Sequence, residues 1–313
     1  MAKTELTIIL PGLAVILDQK INSSIIPTYL TKIIAKSQFS EDLNGLSRVL
    51  FNHFSASPLI GTDLPIVNLE MGNTNYLRAD PCYLHADRDR LLLFSERMGL
   101  TSDESAALIA EIQPLFDDFS GVLSQASADS WLLQLQTLPD INFSALPEVS
   151  GKGVESYLPN GMQRQDWIRL WNEVQMKLYT SDINQQRIEN NQLPINSIWF
   201  WGAGEFSFAE SLWDQTHGKS TLLKSLADKS ATPLQDDSRF NTASLSSGRH
   251  LWLAEEIEID GDWLKQMQTF DDTVLLPLWQ YCRKAKIDKL IIQIPNHGRY
   301  QLKPLDSWKF WKS

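Results

Sequence analysis

Cysteine is nearly absent. Cys82 and Cys282 are the only two in 313 residues, too few for a disulfide framework, which excludes the small secreted scaffolds. Cys282 shares an apolar helical stripe with Leu275, Leu278 and Trp279, and Cys82 lies in a strand-like run, so both read as packing. Long apolar runs are missing as well. The stretch from Met1 to Leu17 is broken by Pro11-Gly12 and lacks both the length of a membrane span and the cleavage pattern of a signal peptide. A cytoplasmic protein with no membrane partner is expected. Basic charge is also short: 28 Lys and Arg against 38 Asp and Glu leave a net charge of −10. A phosphate backbone would be repelled, so no nucleic-acid partner is expected. The one modest basic patch, Arg283 with Lys284, Lys286 and Lys289, reads as a solvated helix end.

Complete catalytic signatures are lacking too. The five histidines, at 53, 85, 217, 250 and 297, show no HxxxH or HExxH spacing. No G-x-S-x-G elbow occurs, and no G-x-G-x-x-G follows a strand; Gly202-Ala203-Gly204 has Ser207 at the third position. His217-Gly218-Lys219-Ser220-Thr221 resembles the end of a phosphate-binding loop. The glycine that must let backbone N–H groups turn inward is replaced by Trp213, and no strand is evident before the motif. It is set aside.

What the chain has in quantity is apolar and aromatic surface. Hydrophobic residues make up 43%, which specifies a globular protein of two lobes or one elaborated domain. Eleven tryptophans imply either large packed surfaces or a site with aromatic walls. Strands are predicted at Leu6–Leu10, Ile195–Trp201, Leu251–Ile257 and Leu290–Ile294. Helical spacing places helices at Ile25–Ile34, Leu43–Phe54 and Asp272–Lys286, and on the stripe Trp167, Leu170, Trp171, Val174 and Leu178. Residues 55–75 read as a loop. Tyr76–Phe94 reads as a hairpin turning at Ala86-Asp87-Arg88-Asp89. Thr101 to Glu104 forms a capping box for a helix with Leu108, Ile112 and Leu115 inward, and Gly121–Gln136 reads as two short strands. Strands alternating with helices predict a mixed, mostly parallel α/β sheet with flanking helices. Residues 1–75 and 150–313 are assigned to this core, and 76–149 to a smaller inserted α+β lobe.

Two groups could carry chemistry. Asp80, His85, Asp87 and Asp89 are the densest set of potential metal ligands, since 85, 87 and 89 share one face of an extended strand. Arg88 and Arg90 interleave with them, which favours a solvated hairpin tip; Asp80-Pro81 suits a chain turn or a buried hydrogen bond. The second group is Asn184 and Arg187, within reach of each other on a helix, with Asn196 ahead of the strand bearing Trp199 and Trp201. The Arg187 fork suits a phosphate or carboxylate. A structural Asn–Arg network tying helix to strand accounts for the same residues and is favoured on physical grounds.

Asn184, Arg187, Pro194, Asn196, Ile198, Trp199, Trp201, Gly202 and Gly204 follow in order. This stretch resembles the archaeal-type cofactor-independent phosphoglycerate mutases, which carry N-x-x-R after a helix, a linker ending in Pro, and Asn-x-Ile-Trp-x-Trp-Gly-x-Gly. Leu77-Arg78-Ala79-Asp80, the hairpin and the helix after Thr101 are similar to that family's inserted domain. Arg78-Ala79-Asp80-Pro81, Glu173-Val174-Gln175-Met176 and the Asn196–Gly204 strand also resemble the bacterial RpfE-type regulatory proteins, over most of the chain. The resemblance implies an alkaline-phosphatase-like core and, in the mutases, two metal ions activating a Ser or Thr nucleophile. Here the ligand set departs from the pattern. The first strand ends Leu10-Pro11-Gly12 instead of Asp-Gly, Asn296-His297 stands for Asp-His, and Ser40-Glu41-Asp42 and Ser47 do not match Gly-Ser-Asp. A neutral Asn supplies no charge to hold a divalent ion. The resemblance therefore implies a non-catalytic regulatory or ligand-binding relative with no metal or cofactor. Its ligand would be a small phosphorylated metabolite, with Arg78, Asn184, Arg187 and Asn196 as anion contacts. One rival is an active phosphoryl-transfer enzyme holding Mn or Zn through Asp80, His85, Asp87 and His297. The other is an interaction module using Trp308 and Trp311, with its protein partner left open.

Overall fold

In a computed structural model the chain is described at residues 3–18, 27–72, 75–96, 98–210, 213–236, 245–256 and 262–309. Strands β1 (Thr4–Ile9) and β2 (Gln38–Asp42) come first. They are followed by β3 (Tyr76–Asp87), β4 (Arg90–Phe94), β5 (Val122–Ser127), β6 (Ser130–Gln134), the short β7 (Ile141–Asn142) and β8 (Asn160–Gly161), and β9 (Ser197–Trp201). The chain continues with β10 (Gln215–His217), β11 (Leu234–Gln235), β12 (Gly248–Leu253), β13 (Lys289–Ile294) and β14 (His297–Leu302). Two units result, Met1–Ser57 with Phe208–Ser313, and Pro58–Ser207.

The first unit holds a sheet in the order β11-β10-β12-β1-β13-β14-β2. Pairing is parallel from β11 to β13 and antiparallel through β14 and β2, which is the mixed, mostly parallel sheet the sequence predicts. Alternation along the central strands sorts their side chains. Leu6, Ile8, Leu290, Ile292 and Ile294 enter one core cluster with Leu30, Ile33, Leu278 and Cys282. Each fully buried aliphatic there contributes about 2 kcal/mol. Ile9, Ile291 and Gln293 alternate to the other face. Burial pushes the Cys282 thiol up to about 12 and that of Cys82 higher than usual, so both are inert packing groups.

Helices in this unit run over Leu13–Asp18, Thr28–Lys36, Leu46–Phe54, Thr221–Lys229, Trp263–Phe270 and Leu276–Arg283. The helix expected at Asp272–Lys286 is α-helical only over Leu276–Arg283; its start is a π-helical turn, Asp271–Leu275, that continues the Trp263–Phe270 helix. The Asp271 carboxylate accepts from the Tyr29 and Leu30 N–H groups and so caps the Thr28–Lys36 helix, which has no cap of its own. Ile25, Ile26, Ile257 and Trp311 lie outside the described residues.

In the second unit the sheet runs β4-β3-β6-β5, with β9 along β3 from Arg78↔Trp201 to Cys82↔Ser197. This pairing corrects the expected lobe boundaries. Residues 150–207 belong with the insertion because β9 is one of its buried strands, and the helix Arg164–Tyr179 packs on β9 through the Trp171 Nε1–H, which donates to Ile198 O at 2.9 Å. Residues 58–75 join it too, with a helix at Ile66–Met71 where a loop is expected. The hairpin turns at Arg88, φ 55°. The Thr101–Glu104 capping box is formed, and Trp167, Leu170, Trp171, Val174 and Leu178 are all buried. Leu115 is only half-buried, and Phe116 takes the inward position. No described helix is long and apolar enough to cross a membrane.

Candidate functional site

In open parallel sheets, ligands gather outside the carboxyl ends of the strands. At that edge of the first unit Gln293 ends the polar face of β13. Its Cα pairs with Ile9, and its carbonyl accepts from Leu10 N at 2.9 Å. The Gln293 Nε2 donates to Asp42 Oδ2 at 2.8 Å, and its Oε1 meets His53 Nε2 at 2.7 Å. Asp42 ends β2, and its other oxygen accepts from Asn44 N and Nδ2. These contacts orient the whole chain. A carboxylate accepts only, so the amide NH2 faces Asp42 and the amide oxygen faces His53. His53 must then carry its proton on Nε2. Burial holds this imidazole down to about 4, outweighing the Gln293 hydrogen bond; Arg299 lowers it further and Asp42 opposes. His53 is thus a neutral donor, with Trp213 edge-on at 5.5 Å.

The residues singled out in the sequence lie elsewhere. Arg187 is 1% exposed; its Nε donates to Leu193 O at 2.9 Å, Nη2 to Met98 O at 2.5 Å, and Nη1 to Glu104 Oε1 at 3.0 Å. Asn184 bonds Leu178 O and both backbone groups of Ile195. Asn196 takes both backbone groups of Leu84, extending the ladder from β9 onto β3. The group is therefore the helix-to-strand network, with its donors committed to protein. Arg78 is gripped by Glu70 at 2.6 and 2.8 Å and lies 3.7 Å from Asp80.

Asp80 is buried and accepts from Trp131 N and Trp201 Nε1; burial pushes its carboxyl up although Arg78 opposes this. His85, with Tyr83 Oη 3.4 Å from its Nδ1, and Asp87 are exposed at the hairpin tip. His297 is in the other unit, bonded to Tyr300 Oη at 2.9 Å. Within the second unit the buried Asp80 stands apart from the exposed His85 and Asp87. The Gly202-Ala203 turn points two N–H groups at one carboxylate, that of Asp63, at 2.9 Å each. A cavity of about 420 Å³ beside it is lined by Asn68, Tyr76, Leu138 and Glu205.

The phosphate-loop fragment also needs a correction: β10 leads straight into Gly218, and Ser220 caps the helix that follows. Trp213 still stands where the motif needs glycine, and Lys219 is exposed. The tryptophans are mostly core: Trp131, Trp167, Trp171, Trp199, Trp201, Trp252 and Trp279 are buried. Trp308 is 58% exposed, under the Arg283 guanidinium at 4.0 Å.

No family model matches the chain. A 2,3-bisphosphoglycerate-independent phosphoglycerate mutase of Methanosarcina barkeri is 24% identical over 177 residues, 48% of this chain and 44% of that protein. The Methanosarcina mazei counterpart is 24% identical over 166 residues, 43% and 41% of the two chains. A probable mutase of the same kind from Geobacter sulfurreducens is 34% identical over 58 residues, 18% of this chain and 14% of that one. The likeness is distant, and it is to the cofactor-independent phosphoglycerate mutases. The matches span less than half the length of these curated relatives. Among solved structures, a cofactor-independent phosphoglycerate mutase of Thermoplasma acidophilum has a TM-score of 0.45 at 13% identity, covering 96% of this chain and 90% of that one. A Pyrococcus horikoshii protein has 0.48 at 11%, covering 96% and 87%.

The described residues offer no ready fit for the pair of metal ions that the resemblance to those mutases implies. Among the described residues, no three His, Cys, Asp or Glu side chains converge. At the carboxyl edge, Leu10 and Gln293 contribute no charge, and the His53 nitrogen nearest Asp42's partner is an N–H that has no lone pair to give.

Proposed function

We propose that this chain is a phosphoglycerate mutase-like protein that binds a small phosphorylated metabolite in the cytoplasm without turning it over. In that respect it would act as a regulatory protein of the RpfE type. The observation that carries the reading is the Asp42–Gln293–His53 chain. In it a neutral amide sits between a carboxylate and an imidazole at this edge and bonds to both. The distant likeness to the mutases supplies the ligand class. The remodelled metal site has no comparable support, because Asp80 is buried while His85 and Asp87 are exposed and His297 is bonded to Tyr300.

Isothermal titration with 2- and 3-phosphoglycerate, run beside a coupled mutase assay in Mn²⁺, tests the proposal. Saturable binding with no turnover is expected. Metal-dependent interconversion of the two acids, or no binding of either, would end it.

A further inference from the structure

The polar row that contains Gln293 does not stop there. Across the antiparallel strands Gln293 pairs with Arg299, and Arg299 with Ser40, so the three side chains share the face that carries Asp42 and His53. The Arg299 Nε is buried without a hydrogen-bond partner, while the residue as a whole is partly exposed. A guanidinium with a buried root and an open tip would ordinarily find a carboxylate. Asp42 is the near candidate, but its oxygens accept from the neutral donors Gln293 Nε2, Asn44 N and Asn44 Nδ2. Among the described residues no acid forms an ion pair with Arg299.

We propose that Arg299 is an oxyanion contact, presenting its Nε–H and one terminal N–H as a two-toothed fork to the phosphoryl or carboxylate group of a small acid, with Ser40 beside it. The Nε edge of a guanidinium matches two oxygens of such a group, and bonding them satisfies the orphaned donor. Gln293 and the neutral His53 then act as dipoles on the same face and add no competing charge. This assignment deepens the ligand-binding reading above and rests on it for the identity of the metabolite, but the anion contact itself can be tested with inorganic probes.

His53 is the reporter, because the charged groups that act on it are Arg299 and Asp42. In the full chain, labelled with ¹⁵N-histidine, its ring resonances are followed through pH titrations with added sodium phosphate or acetate. An anion on Arg299 offsets that charge, so His53 is expected to titrate at higher pH, saturably, with phosphate the stronger arm if a phosphoryl group is preferred and acetate if a carboxylate is. In R299Q the imidazole should titrate higher without any anion and respond to neither salt. R299K, which keeps the charge but not the fork, should bind at least tenfold more weakly. A response that never saturates, or one unchanged in both variants, overturns the assignment. Phosphoglycerate binding that survives R299Q removes Arg299 and leaves the ligand reading standing. A saturable phosphate response in a protein that ignores phosphoglycerates does the reverse.

Discussion

Acidification should weaken the first unit, the one with the mostly parallel sheet, through His53. His53 is held neutral, its folded value down to about 4 against the ordinary 6.5, chiefly by burial. The folded state therefore binds fewer protons than the unfolded chain once the pH falls below 6.5. Its contribution to stability is complete above that value and is lost progressively down to about 4. The full span is about 3 kcal/mol at ~1.4 kcal/mol per unit, of which roughly 2 kcal/mol is lost between about pH 7.5 and about pH 5. Urea unfolding of the natural chain and of H53Q at those two pH values isolates this contribution. Gln can still donate to the Gln293 amide oxygen but does not titrate, so the variant should lose about 2 kcal/mol less on acidification. Parallel pH profiles for the two proteins would refute the reasoning, since His53 would then be charged or solvated in the fold.

Arg187→Ala should destabilise the second unit by about 3 kcal/mol, because it leaves Glu104 and the Met98 and Leu193 carbonyls without their donor; R187K should recover only a fraction, as read by urea midpoints. Although burial opposes it, hydrogen bonds from Thr101 and Arg187 hold the Glu104 carboxyl below its usual range. The stability it confers is present at neutral pH and lost as acid protonates it, so E104Q should flatten the acid limb of that unit's unfolding curve. Gln293→Glu places a second carboxylate beside Asp42 and His53. Mn²⁺ or Zn²⁺ should then raise the melting temperature of the variant and not that of the natural chain, measured by calorimetry with and without chelator.

Local periodicity made part of this fold legible. The stripe from Trp167 to Leu178 and the Thr101–Glu104 capping box need only neighbours within a few turns, and both form as the sequence predicts. β9 was equally legible as a strand, but its partner β3 lies more than a hundred residues away, so its pairing and with it the limits of the insertion were not. The same distance hid the polar edge. Asp42 and Gln293 are 251 residues apart and His53 and Gln293 are 240 apart. None of the three sits in a spaced motif, and only the order β1-β13-β14-β2 brings them together. β10, three residues long, gains its identity from β11 and β12 rather than from its own composition. Asn184, Arg187 and Asn196 were recognisable as a polar group, yet apart from Glu104 their partners are backbone N–H and C=O groups, which carry no sequence signature for a role.

The orientation of one imidazole decides whether the edge of this sheet can serve cations at all. A long-range ¹H–¹⁵N correlation spectrum of the ¹⁵N-histidine-labelled protein at neutral pH, recorded before and after one equivalent of Zn²⁺, reads it directly. The Gln293 amide oxygen requires a pyrrole-like Nε2 and a pyridine-like Nδ1 on His53, both unmoved by the metal. A pyridine-like Nε2, or one that shifts stoichiometrically with Zn²⁺, would contradict the account.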